Sequence, residues 1–144
     1  MSRRVALPRL GEYWPGQGGI FHGLMLSRDG GADYALLSVE LKHHHAGDGF
    51  DAMQVDYPKK LKIDGHSDFG MPTRAEQRVQ FANAKSEQFH DAYYWSCEQD
   101  ASDSDYAWLQ PFGHHGHQFV WHRDVKFRGC AVRRVPIASM RPRQ

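Results

Sequence analysis

Ten histidines give this 144-residue sequence its most unusual chemistry, because imidazole both ligates metals and changes charge near neutral pH. They concentrate as His43-His44-His45 and as His114-His115-Gly116-His117, with His90 and His122 nearby in sequence. A catalytic zinc site wants three ligands on a rigid scaffold with partners behind them, whereas both clusters lie in glycine-flanked stretches without i, i+4 helical pairing. The expectation is therefore exposed loop histidines that hydrogen-bond or stack on a partner, with no metal and no cofactor. A metal-dependent enzyme is the weakest of three functional readings and rests on these loops alone.

Other reactive groupings are thinner. Glu98-Gln99-Asp100-Ala101-Ser102-Asp103-Ser104-Asp105 is rich in calcium-type oxygens but lacks the EF-hand's central glycine and terminal glutamate, so it reads as a solvated turn between strands. Ser96 or Cys97 could serve as a nucleophile beside a histidine, yet no G-x-S-x-G elbow surrounds them. Nor does the glycine-rich stretch from Gly16 to Gly23 have phosphate-loop spacing or a following helix. Catalysis is not expected.

The aromatic residues are the better lead. Trp95, Trp108, Phe112, Phe119 and Trp121 crowd together and alternate with polar neighbours as strands do. Trp95 and Trp108 are expected in the core, while Phe112, between Pro111 and Gly113, and Trp121 look less sheltered. Rigid aromatic and imidazole groups on adjoining loops suit a recognition surface. The expected partner-binding set is Phe112, His114, His115, His117, Trp121, His122 and Arg123.

These residues must be held by a scaffold, and the pattern predicts α+β. Leu10 to Gly19 is a turn-rich opening loop. Ile20 to Leu26 and Tyr34 to Glu40 predict a β-hairpin around Asp29-Gly30-Gly31. Residues 42–68, with scattered Phe50, Met53 and Val55, read as a long, partly ordered loop. Pro72-Thr73-Arg74-Ala75-Glu76 places a capping box at the start of a helix over about 73–88, its inward stripe Ala75, Val79 and Ala82 with Phe81 alongside. Tyr93–Cys97, Tyr106–Gln110, Gln118–Trp121 and Cys130–Val135 are then predicted to form one antiparallel sheet. The expected division is an N-terminal arm over 1–10, one domain over 11–137 and a basic tail over 138–144.

Composition narrows the partners. A formal charge of +1 lacks the basic excess that phosphate contacts need, so nucleic acid is not expected; Arg123, Lys126, Arg128, Arg133, Arg134, Arg141 and Arg143 read as a solvated strand edge and tail. No apolar run approaches the length of a membrane span. The basic N-terminus meets Pro8 and Arg9 before an apolar stretch develops, which argues against an export signal. Cys97 and Cys130 can meet only if their strands are neighbours, and a pair of buried free thiols is the expectation.

Asp64-Gly65-His66-Ser67-Asp68-Phe69-Gly70-Met71-Pro72-Thr73-Arg74-Ala75-Glu76 resembles the D-W-R-L-P-T-x-x-E signature of the Lcl C-terminal-like domain family. Tyr94-Trp95-Ser96-Cys97 is similar to that family's Y-W-S-S, and Cys130-Ala131-Val132-Arg133-Arg134-Val135 to its closing V-R-x-V-R strand. The sequence departs from the pattern at Phe69-Gly70-Met71 and at Cys97. The resemblance covers roughly residues 11–136 and implies a C-type-lectin-like fold, related to that of formylglycine-generating-enzyme-like proteins: a twisted antiparallel sheet, one main helix and long loops. Its motif residues, Pro72, Thr73, Glu76, Trp95, Trp108 and Arg133, are expected to be structural.

The resemblance also implies adhesion. The leading expectation is a non-enzymatic bacteriophage tail or tail-tip component, assembled into the virion from cytoplasmic parts, that binds a host-surface glycan or protein or other tail proteins. A homo-oligomer, a trimer as in other tail adhesins, goes with it. The alternative is a small intracellular phage or bacterial protein that binds and inhibits a host protein.

Overall fold

The computed structural model describes residues 7–27, 30–113 and 115–137. The first six residues, Asp29 of the expected turn, His114 and the tail with Arg141 and Arg143 lie outside the described residues. The chain is α+β: mostly strands in antiparallel sheets, with two short α-helices among the described residues.

The expected hairpin is present. β1 (Tyr13–Trp14), β2 (Gly19–Met25) and β3 (Tyr34–Ser38) run antiparallel, with Ile20 opposite Ser38 and Met25 opposite Tyr34. A bulge between Phe21 and Gly23 interrupts the register, and Gly23 takes a φ of 126° that a side chain would resist.

Residues 42–68 are more ordered than a loop as far as Lys60 and irregular after it, apart from the Ile63–His66 bridge. They form β4 (His45–Asp48), α1 (Phe50–Val55) and two single-turn 3-10 helices, Leu41–His43 and Pro58–Lys60. Phe50, Met53 and Tyr57 from this stretch are buried in the larger core cluster. Each element is too short to declare a period of its own, which hid them from a pattern reading.

The capping box forms as expected. Thr73 Oγ accepts from the Glu76 N–H at 3.1 Å, and Glu76 Oε1 accepts from the Thr73 N–H at 2.9 Å. The helix, α2 (Arg74–Asn83), is shorter than expected: a 3-10 turn at Ser86–Gln88 follows it. Its inward face is also not the expected one, since Glu76, Gln77 and Gln80 are buried while Phe81 and Ala82 are exposed. Polar side chains carry the helical period here, at 76, 80 and 83.

Five further strands complete the chain: β5 (Tyr93–Gln99), β6 (Tyr106–Pro111), β7 (Phe119–His122), β8 (Phe127–Gly129) and β9 (Val132–Pro136). They do not make one sheet. β9 joins the N-terminal hairpin in the order β1-β2-β3-β9, and the second sheet runs β4-β8-β5-β6-β7. β8 lies parallel to β5, an exception in an otherwise antiparallel arrangement.

Both arginines of β9 are committed to ion pairs, Arg133 buried and Arg134 part-exposed. Arg133, buried, donates from Nε to Asp68 at 2.7 Å and from Nη1 to the Gln17 carbonyl at 3.0 Å. Arg134 grips both carboxylate oxygens of Glu76, at 2.8 and 2.7 Å, and the Met71 carbonyl at 2.9 Å. The Tyr34 hydroxyl donates to the same carboxylate at 2.6 Å. Glu76 therefore ties helix, hairpin and closing strand together. Burial alone would raise its pKa, but Arg134, Tyr34 and the Thr73 N–H together hold the carboxyl below its ordinary value.

Candidate functional site: an aromatic ledge at a free sheet edge

β5 alternates its side chains across the second sheet. Tyr94 turns toward His44, Phe89 and Phe112, while Trp95 turns the other way, edge-on to Phe50 at 5.5 Å and to Phe127 at 5.0 Å. On Trp95's side the floor is Ala107 and Leu109 of β6, both fully buried. Trp95 is core, as expected, and its indole N–H donates to the Asp48 carbonyl at 3.0 Å. Trp108, on the opposite face, is only half-buried; the Arg74 guanidinium caps its ring at 3.4 Å, and Gln118 Oε1 accepts from Arg74 Nε at 3.3 Å.

From the Trp95 core a row of rings continues to the surface. Phe127 meets Tyr93 at 5.6 Å, Tyr93 meets Phe119 at 5.3 Å, and Phe119 meets Trp121 at 6.2 Å. Tyr93 is 41% and Trp121 50% exposed, with Phe119 half-buried between them. Register explains it: Trp121 lies across from Ala107, so no large neighbour covers its indole, and β7 is the last strand of its sheet. This ledge on the free edge of β7 is the most developed exposed aromatic surface among the described residues.

The expected binding residues fall in several places. Trp121 is on the ledge. His115 and His117 are exposed, with rings 6.4 Å apart, and His115 lines a chamber of about 170 Å³ with Tyr93. His122 points to the other face of β7, beside Tyr106, and faces Asp124 at 3.5 Å. Arg123 is occupied: it pairs with Asp51, donates to Gln99 at 2.8 Å and to the Ser104 carbonyl, and so clamps the acidic turn to α1. Phe112 is a correction, being only 5% exposed. It stacks face to face on Phe89 at 4.0 Å, on the same face of the sheet as Tyr94. Tyr93 and Phe119 belong to the ledge but not to the expected set; pairing β5 and β7 through β6 is the step that would have found them.

The histidine triplet corrects a second expectation. His44 is half-buried rather than exposed, and its ring contacts the Tyr94 hydroxyl at 3.0 Å and the Val39 carbonyl at 3.3 Å. Burial, with the nearby His90, Arg128 and His43 adding to it against the pull of the Val39 carbonyl, lowers its pKa to about 4. Among the described residues no three His, Cys, Asp or Glu side chains are grouped to hold a metal ion. Ser96 Oγ donates to the Trp108 carbonyl at 2.8 Å, so the hydroxyl is committed to the sheet. Cys97 and Cys130 are both free; Cys130 is buried, which pushes its thiol up, but Cys97 is exposed rather than buried. No helix among the described residues is long and apolar enough to cross a membrane. No protein-family model matches the sequence, and no curated protein matches it.

Proposed function

We propose that this chain is a non-enzymatic binding domain of the C-type-lectin-like kind, and that the ledge of Tyr93, Phe119 and Trp121 is the surface it offers to a host-surface glycan or protein. The observation that carries the reading is the unbroken row of rings from buried Trp95 to half-exposed Trp121. Anchored at its root, such a row presents rigid amphipathic area at little entropic cost, the composition of interaction hot spots. The finer fold assignment draws support from β9 closing onto the N-terminal hairpin and from the capped helix beside it. The setting, a bacteriophage tail, rests on the Lcl C-terminal-like resemblance.

Fluorescently labelled protein is expected to bind host cells saturably, and Trp121→Ala to weaken that binding about tenfold or more while leaving the thermal midpoint unchanged. Mass spectrometry of purified virions is expected to detect the chain. Absence from particles, together with recovery of one stoichiometric host protein from lysate, would instead favour an intracellular inhibitor working through the same ledge. Equal binding by wild type and Trp121→Ala would remove the ledge from the proposal.

A further inference from the structure

A second concave surface lies on the Tyr94 side of the sheet, away from the exposed indole of Trp121. Phe81 of α2 leans on Phe112 at 5.9 Å with a 57° tilt, and Phe112 stacks on Phe89. These rings line an open cleft of about 360 Å³ whose rim carries Lys85, Ser86 and Asp91. That is the size of a small-molecule site, about 300–1,000 Å³.

Both lips are preformed. Gln88 accepts from the Lys85 N–H at 3.0 Å and donates from Nε2 to the Gly11 carbonyl at 2.7 Å, bracing the turn that follows α2. The Lys85 stem lies so close to Gly11 that a Cβ there would stand 3.3 Å from Lys85 Cγ. On the other lip a Cβ at Gly113 would be 2.2 Å from Asp91 Oδ1, so the carboxylate is seated against backbone. Phe81 is held likewise: a Cβ at Gly116 would fall 2.6 Å from its ring. Three glycines thus allow the walls to close in, and less ordering is left for a ligand to impose.

We propose that this cleft binds a planar aromatic molecule carrying one anionic group and a ring N–H donor. Two stacked rings with a third tilted beside them form a corner that accepts another ring by offset or edge contact. The Lys85 ammonium, three donors and no acceptor, selects an anionic substituent. Asp91 accepts only, and with about four lone-pair positions on its carboxylate it takes an additional N–H while turning a second anion away. A fatty acid would satisfy Lys85 but forgo the ring contacts, and a polyanion would meet Asp91.

The test is a nuclear magnetic resonance titration of the full chain with indole-3-acetate and its neutral amide, indole-3-acetamide. Saturable amide shifts are expected at Phe81, Lys85, Ser86, Asp91 and Gly113, with none at Trp121. Lys85→Gln is expected to weaken the acid about tenfold, the worth of one charge-assisted hydrogen bond, and to leave the amide unaffected. Phe81→Ala, at a position 36% exposed, is expected to weaken both ligands while the variant still folds, which circular dichroism checks. The site is overturned if neither compound gives saturable shifts at millimolar concentration, if the shifts centre on Trp121, or if Lys85→Gln leaves the ratio of acid to amide affinity unchanged. Failure of the cleft leaves the ledge to its own test, cell binding by Trp121→Ala.

Discussion

Tyr94 and Trp95 are neighbours in β5, both almost fully buried, yet they face interiors of different construction. Trp95 looks into hydrocarbon: Phe50, Phe127, Ala107 and Leu109. Tyr94 looks toward α2 and a seam of polar groups, where Gln77 Nε2 donates to the carbonyls of Tyr94 and Trp95 at 3.1 Å each, Gln80 Nε2 donates to Ser38 Oγ at 2.7 Å, and Asn83 Nδ2 donates to the His22 carbonyl at 2.6 Å. Dispersion contacts on the Trp95 side are non-directional, so the row of rings can run on to the surface and end as a ledge. Directed hydrogen bonds on the Tyr94 side fix where α2 sits, and the rings there, Phe112, Phe89 and Phe81, line a cleft instead of a protruding row. The ledge grows from the apolar side, while the hydrogen-bonded groups of the other side set the frame.

The sharpest way to break that contrast is Glu76→Ala. The carboxylate is fully buried, and its loss removes the Thr73 N–H arm of the capping box, both contacts to Arg134 and the acceptor of the Tyr34 hydroxyl. Breaking one partner of a buried pair costs about 3–5 kcal/mol; because Arg134 keeps 38% of its side chain exposed and can hydrate, the lower end is expected. Urea denaturation checks the figure. A loss under about 1 kcal/mol, the range of a surface pair, would show that the polar seam does not hold the frame.

The start of α2 was legible because a capping box is local chemistry: Thr73 and Glu76 need only each other. Its inward face was not, since Gln77 and Gln80 are buried for the sake of carbonyl and hydroxyl acceptors on strands far away in sequence, and no apolar period announces that. The strands of the hairpin and of β5, β6 and β7 showed in their composition, but the departure of β9 to the other sheet depends on pairing with β3, which composition does not encode. At the site, Trp121 could be read from its strand alternation. Phe112 could not, as Pro111 and Gly113 resemble an exposed turn whether the ring between them points out or in.

Acid should dismantle the Tyr94 side first. His22 is fully buried with neither ring nitrogen partnered among the described residues, and burial lowers its pKa to about 4; His44 stands at about the same value. Both rings lean on Phe89, at 6.4 and 5.2 Å. The groups facing His44 are His90, Arg128 and His43, with the Tyr94 hydroxyl, and no charged group shifts His22. Each folded pKa lies below the unfolded value of 6.5, so the unfolded chain binds more protons between pH 6.5 and 4. Stability is full above that window and falls as pH drops through it, by about 1.4 kcal/mol per pH unit for each histidine. His22→Leu is expected to raise stability at pH 7, by removing two orphaned polar atoms, and to halve the slope measured by denaturation at stepped pH. An unchanged slope would mean that His22 does not stay neutral in the fold.

The smallest effect bears most directly on what the polar side does. Gln77→Leu keeps the volume and deletes two hydrogen bonds worth about 0.5–1.5 kcal/mol each, but it also removes Oε1, a buried acceptor with no partner among the described residues, whose burial costs about 1–3 kcal/mol. The two terms nearly cancel, and a net change within about 1 kcal/mol is expected. If the amide serves orientation, amide hydrogen exchange in α2 should nonetheless quicken, because leucine can pack at more than one helix angle where the amide has only one. A loss of several kcal/mol without faster exchange would reverse the assignment: the directed bonds would then be supplying stability, and the position of α2 would be set by the contact of Phe81 with Phe112 and of Arg74 with Trp108.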